Sequence, residues 1–328
     1  MVDAVVTWVD GDDAELCRER MRFLDGRAQE LEREAADATR FRSQGEIYYC
    51  LHLLRQNAPW IRRVYLVTDR QRPDFLTSRE QDRLGVAVID HREIFRGYEE
   101  VLPTFNSLSI ETVLHRIPGL SEEFLYFNDD FFLLKPVVPC DFFCSPLAVW
   151  RGLLWPGNPA VYRLKKKLRR VQKRWGRRWY VDGLVGFFSE KHWLRGRSHL
   201  QLGHAPYPMR RSSLSMCLEG RIAANVRYRF RHYDQFNPIA LVANCELRKG
   251  LVRLGPRDWG YLDCKKEEGE AICRKMANFI DDPKVRMACV QSMDMARPEV
   301  AAEIRSMLQQ LLDFGARSRS RGTPVSAG

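Results

Sequence analysis

Two adjacent carboxylates sit inside an apolar run, FLYFNDDFFLLKP (residues 124–136). Phe127, Phe131 and Phe132 hold Asp129 and Asp130 in low-dielectric surroundings, where like charges repel and an unpaired carboxylate costs several kcal/mol. Two readings meet that cost. In one, Asn128 and the aspartates cap loose backbone N–H groups in an Asx turn at a strand end. In the other, a hard divalent cation, Mg²⁺ or Mn²⁺, sits on the acids, grips a diphosphate and neutralises charge developing on it.

Other segments carry matching chemistry. TWVDG (7–11) puts Asp10 at a turn tip, with Gly11 allowing tight backbone; the structural alternative makes Asp10 the N-cap of a helix over 12–34. RFRSQGE (40–46) brings Arg40 and Arg42 just ahead of a helix, and an arginine pair at a helix N-terminus favours phosphate. GHAPYPMRR (203–211) holds His204 between a glycine and a Pro-rich turn. RYRFRHYDQFNP (227–238) gathers Arg231, His232 and Asp234 among aromatics. Its interleaved Asp and Asn suit a folded polar pocket better than a nucleic-acid face, so no nucleic acid is expected.

Positioning these groups is work for strands. DAVVTWVDG (3–11), RVYLVTD (63–69), VAVID (86–90) and FLYFNDD (124–130) are near-continuous apolar runs, as in strands covered on both faces. Each ends in acid: Asp10, Asp69, Asp90, and Asp129 with Asp130. Helical patterns lie between them, at 46–56 and at 107–117, where Ser107 is the expected N-cap and Pro118-Gly119 the stop. Alternating strands and helices predict an α/β fold with a mostly parallel sheet, whose ligands bind beyond the carboxyl ends of the strands. A further amphipathic helix is expected over 298–312, and a disordered tail over 315–328.

Composition narrows the class. The 328 residues are 45% hydrophobic and 29% charged, which suits a globular protein with a sizeable core. No stretch is apolar and long enough for a membrane-spanning helix, and the acidic N-terminus lacks a signal-peptide pattern. Nine cysteines without metal spacing read as reduced thiols, which points to the cytoplasm. Residues 163–178, RLKKKLRRVQKRWGRR, hold ten Lys/Arg and no acid, and so account for nearly all of the +11 net charge. In 163–180, Leu164, Leu168, Val171, Trp175 and Trp179 share one helical face. A basic amphipathic helix with Trp reads as an element for anionic membrane surfaces, with docking on the protein core and anionic-glycan or nucleic-acid binding as alternatives.

Taken in order, these blocks resemble the Stealth family of sugar-phosphate transferases. DAVVTWVDGDD is similar to its first conserved region. Residues 40–75 and 102–137 are similar to the second, GHAPYPMRR with RYRFRHYDQFNPIAL to the third, and VQSMDMARPEVAAEIRSMLQQL to the fourth. The resemblance implies a Rossmann-like, GT-A-type catalytic domain over 1–312. Residues 3–143 would form a nucleotide-sugar half, 163–180 a basic insertion, and 200–312 a second half completing the site.

It also implies metal-dependent transfer of sugar-1-phosphate from a nucleotide sugar, of UDP-N-acetylhexosamine type, to a hydroxyl of a polysaccharide acceptor, with release of nucleoside monophosphate. Asp129 and Asp130 would bind the metal. Asp10 or one of that pair would act as base, and His204 as proton carrier or diphosphate ligand. Arg231 would stabilise the phosphoryl group, with Asp234 orienting it or the acceptor. Trp8, Gly11, Arg40, Arg42, Asp69 and Asn106 would line the donor. The family commonly has Gly after VTD, where this chain has Arg70. A glycosyltransferase releasing nucleoside diphosphate, and a non-catalytic binder of anionic glycan or membrane, are the competing functions.

Overall fold

A computed structural model describes residues 1–24, 43–155, 198–232, 234–267 and 269–320. Arg40, Arg42 and the basic segment 163–180 lie outside the described residues.

Four apolar runs become the parallel strands β1 (Val2–Thr7), β2 (Val64–Thr68), β3 (Val86–Asp90) and β4 (Glu123–Asn128). Val5, Val6, Leu66, Val67, Phe124 and Leu125 are fully buried, as expected of strands covered on both faces. Two residues past β4 comes β5 (Phe131–Leu133). The short strands β6 (Phe143–Cys144), β7 (Leu147–Trp150), β8 (Gly152–Trp155) and β9 (His199–Leu202) follow. Next are β10 (Tyr207–Arg210), β11 (Val252–Leu254), β12 (Trp259–Asp263) and β13 (Met287–Gln291).

The main sheet has the order β10-β4-β1-β2-β3. Strands β1 to β4 are parallel and β10 runs antiparallel on the edge of β4. The chain steps outward from β1 to β3, then returns to place β4 on the other side of β1. In sheets of this Rossmann-like kind, the crevice at that reversal is where ligands bind. Thr7 is level with both Val67 and Asn128, so the residues leaving β1, β2 and β4 emerge side by side.

A second sheet, β12-β13-β5, carries the C-terminal third onto the segment that follows the paired aspartates. Its entry is fixed by a buried ion-pair cluster, in which Arg151 donates to both Asp258 oxygens (2.7 and 3.0 Å) and Arg286 joins the same carboxylate. The main hydrophobic cluster extends from Val2 to Leu312.

The helices that matter to the crevice are α1 (Ala14–Leu24), α2 (Glu46–Asn57), α3 (Ser78–Leu84), α4 (His91–Ile94) and α5 (Ser107–Val113). The expected caps shift. Asp13, not Asp10, accepts from the Leu16 N–H at the start of α1 (2.8 Å). Asn106, not Ser107, caps α5 by accepting from Leu108 N–H (3.1 Å), because Asn106 is the extended residue just outside the first turn while Ser107 is already helical. The final helix runs from Pro298 to Ser320, so the stretch from Gly315 to Ser320, expected in the tail, is helical. All nine cysteines are free thiols. No helix among the described residues is long and apolar enough to cross a membrane.

Candidate active site

The carboxyl ends of β1, β4, β12 and β13 surround a cavity of about 590 Å³, within the size range of small-molecule sites. Trp8, Asp69, His91, Thr104, Glu111 and Asp130 line it. Each has a buried polar atom without a protein partner: Trp8 Nε1, Asp69 Oδ2, His91 Nδ1, Thr104 Oγ1, Glu111 Oε2 and Asp130 Oδ1. Native interiors pair such atoms almost always, so this many orphans around one cavity mark a place built for a polar ligand. A larger depression of about 720 Å³ adjoins it across Asp69. Its other acids have protein partners: Glu19 pairs with Arg70 (2.6 Å), Glu93 accepts from the Asp90 N–H (3.0 Å) and Glu99 from the Gly97 N–H (2.9 Å).

Asp129 and Asp130 leave β4 directly into the cavity. Burial pushes the Asp130 carboxyl up to about 7; the Cys289 thiol, donating at 3.5 Å, opposes the rise and Glu46 adds to it. Burial, then the charges of Asp130 and Glu46, hold Asp129 well above the usual carboxylate range. Two neighbouring acids raised in this way await positive charge. Among the described residues no group of three or more His, Cys, Asp or Glu forms a metal cage. A carboxylate pair with an orphaned oxygen instead fits Mg²⁺, which takes one or two carboxylates and completes its shell with water and substrate phosphates.

Arg231 is carried by the loop before the helix Pro238–Arg248, and that loop is clamped onto the start of α5. Phe105 N–H donates to Arg229 O (2.7 Å), Phe105 stacks on Phe230 with centroids 5.0 Å apart, and Asn106 donates to Tyr228 O (2.9 Å). The guanidinium then reaches Ser107 Oγ at 2.7 Å and faces the cavity. Asn106 also lines it, but its amide is committed to Tyr228 O, Gln235 Oε1 and the α5 cap, so it is a structural anchor.

Trp8 and Asp69 line the cavity as well, whereas Asp10, Gly11, His204 and Asp234 are not on its wall. The Asp10 carboxylate accepts from the N–H of Asp12 (3.0 Å) and so caps its own turn. The Gly11 carbonyl accepts from the Cys17 thiol (3.0 Å). Asp234 is exposed beside His232. His204 is stacked on Tyr261. Burial holds its imidazole below the usual histidine range, with Asp263 opposing and Lys266 reinforcing that shift.

The cavity also contains acids and bases that the sequence reading did not single out: Glu46, Glu111, Asp263, Lys265 and Lys266. Burial pushes Glu111 up to about 7 against the Arg231 charge and the Tyr126 hydroxyl, which donates at 3.3 Å. Apolar periodicity assigns the buried face of α5 to Ile110, Leu114 and Ile117. The structure also buries Ser109, Glu111 and Thr112, and a count of apolar residues cannot reveal an interior carboxylate.

The family description Stealth protein CR2, conserved region 2, matches residues 40–148. An exopolysaccharide phosphotransferase of Streptomyces coelicolor is 51% identical over 222 residues, covering 65% of this chain and 33% of that protein. The chain thus spans about a third of that relative's length. A capsular polysaccharide phosphotransferase of Streptococcus pneumoniae is 29% identical over 332 residues, covering 91% of this chain and 97% of that one. Among solved structures, a galactosyltransferase in complex with donor and acceptor sugar analogs is similar at a TM-score of 0.45 and 9% identity, with 96% of each chain covered.

Proposed function

We propose that this chain, which matches the Stealth conserved-region description over residues 40–148, transfers sugar-1-phosphate from a nucleotide sugar to a hydroxyl of a polysaccharide acceptor. The acceptor oxygen bonds to the phosphorus that bears the sugar. The bond from that phosphorus to the bridging oxygen breaks, and nucleoside monophosphate leaves with the bridging oxygen. The observation that carries this reading is the set of orphaned polar atoms around a cavity at the sheet reversal, whose wall holds both the paired acids and Arg231.

Phosphoryl transfer asks for positioning and positive charge more than covalent help. Arg231 faces the charge that develops on the transferring group. Asp129 and Asp130 would hold a divalent cation, which would supply positive charge to the diphosphate. Glu111 Oε2, buried and free of partners, accepts the acceptor's proton; an acid near 7 is well matched to that task. Asp69 and Trp8 contact the donor. Asp10 and Asp234, off the wall in this structure, would act only by moving in with the acceptor.

Incubation with UDP-N-acetylglucosamine, Mg²⁺ and capsule-type polysaccharide, followed by mass analysis of the nucleotide, tests the reaction. Nucleoside monophosphate is expected; nucleoside diphosphate would mean an ordinary glycosyltransferase. The basic segment 163–180 is proposed to rest on an anionic lipid surface at the inner face of the cytoplasmic membrane. Sedimentation with phosphatidylglycerol vesicles, but not phosphatidylcholine vesicles, is the expected result.

A further inference from the structure

His204 is held in an unusual way. Among the described residues no group hydrogen-bonds to either imidazole nitrogen, and the contact that holds the ring is on its face. The face lies against Tyr261, with centroids 4.2 Å apart and planes 22° from parallel. The Tyr261 hydroxyl is itself anchored, donating to Gln291 Oε1 at 2.6 Å, with Asp263 Oδ2 at 3.4 Å.

The residue before His204 is pinned by the same strand. A Cβ on Gly203 would lie 2.5 Å from the Trp259 ring, and Gly203 N–H donates to Arg151 O at 2.9 Å. Trp259 and Tyr261 alternate with Gly260 along β12, so both aromatics face the loop that carries His204. Gly260 looks the other way, onto the ring of Phe279. One strand thus presents two rings, one closing over Gly203 and one lying flat on His204.

The same strand pair reaches the paired acids. Tyr261 on β12 is level with Cys289 on β13, and the Cys289 thiol donates to Asp130. His204 is therefore linked to Asp130 through a single rung of the second sheet.

We propose that Tyr261 is a positioning residue that holds His204 by its ring face, with both nitrogens free, at a fixed offset from Asp130. The role in turnover rests on the sugar-phosphate transfer reading, with His204, off the cavity wall in this structure, turning a free nitrogen toward the bound diphosphate; the holding of the ring does not. The titratable and charged groups around the imidazole are Tyr261, Asp263 and Lys266.

The test compares Tyr261→Phe, Tyr261→Leu and Gly203→Ala by two readouts. The first is the NMR titration of the His204 imidazole, assigned by its absence in His204→Gln. The second is nucleoside monophosphate release from UDP-N-acetylglucosamine. Tyr261→Phe keeps the ring and is expected to leave both within about threefold of the parent. Tyr261→Leu opens the ring to water. It is expected to move the His204 titration upward toward free imidazole and to lower kcat by about tenfold to a hundredfold, with donor KM within about twofold, the range for a misplaced group. Gly203→Ala pushes the loop off Trp259 and should match Tyr261→Leu.

An unchanged His204 titration in Tyr261→Leu overturns the proposal, as does a Tyr261→Phe that is as damaging as Tyr261→Leu. If Tyr261→Leu does not fold, Gly203→Ala decides by the same titration. If the parent releases no nucleoside monophosphate, the transfer reading fails, and the titration still decides whether Tyr261 holds His204.

Discussion

The thiol of Cys289 donates to the carboxyl of Asp130 across 3.5 Å, joining residues 159 positions apart in the chain. This contact is the seam between the main sheet and the second sheet, and it leaves Asp130 Oδ1 buried without a partner. A buried carboxyl kept in that state costs stability. Asp130→Asn is expected to raise the melting temperature of the metal-free protein, by about 2–4 °C for each kcal/mol of relieved burial. The same change is expected to lower nucleotide release by at least about a hundredfold. A melting temperature that falls would mean that the acid is a structural support.

Glu111 gives a pH prediction with opposite signs for stability and rate. Its carboxyl titrates near 7 in the folded protein and near the ordinary 4.5 when unfolded. The native state therefore holds the extra proton between those values, and this group's contribution to stability falls as pH rises from about 4.5 to 7, by at most about 1.4 kcal/mol per unit. Catalysis as a base needs the ionised form, so kcat rises over the upper part of the same window. Glu111→Gln is expected to flatten the stability profile and remove most of the activity. Urea midpoints and rates measured from pH 5 to 8 check both signs.

Chelation distinguishes a cation site from an Asx turn at residues 128–130. With EDTA, nucleotide release is expected to stop and to return on adding Mg²⁺ or Mn²⁺. Adding Mg²⁺ to the metal-free parent should raise its melting temperature by mass action, about 2.7 kcal/mol of stabilisation at a hundredfold excess over the dissociation constant. The double change Asp129→Asn with Asp130→Asn should abolish that rise.

Arg70 adopts a left-handed backbone with φ 55°, the region that favours glycine. Its side chain offsets that strain by reaching Glu19 (2.6 Å), Asp69 (3.2 Å) and Glu15 (3.4 Å). Arg70→Gly and Arg70→Ala lose the same ion pairs but differ in backbone cost. The glycine variant is expected to be more stable than the alanine variant by about 1 kcal/mol in urea unfolding. Equal stabilities would show that the backbone there relaxes without cost.

Much of this fold was legible from residue type. Buried parallel strands need continuous apolar runs, and all four runs became strands of the main sheet within a few residues of their expected limits. Asp69, Asp129 and Asp130 were legible because a strand's end is visible in sequence. The expected 3–11 strand ends at Thr7, so Asp10 falls in a turn that its own carboxylate caps. Glu111 escaped because it lies within a helix, where apolar spacing says nothing about a buried acid. The hold on His204 escaped for a different reason: it comes from β12, more than fifty residues away, through ring contacts that no local pattern encodes.

The antiparallel edge strand β10 carries a consequence for biosynthesis. Until Tyr207–Arg210 has left the ribosome, β4 has only one neighbour, and its other edge lies open while the nascent chain already holds four parallel strands. Cys289 is translated later still. Translation therefore delivers the acidic half of the crevice well before the strands that close around it, and an open β4 edge is the surface that a holding chaperone would shield in the interval.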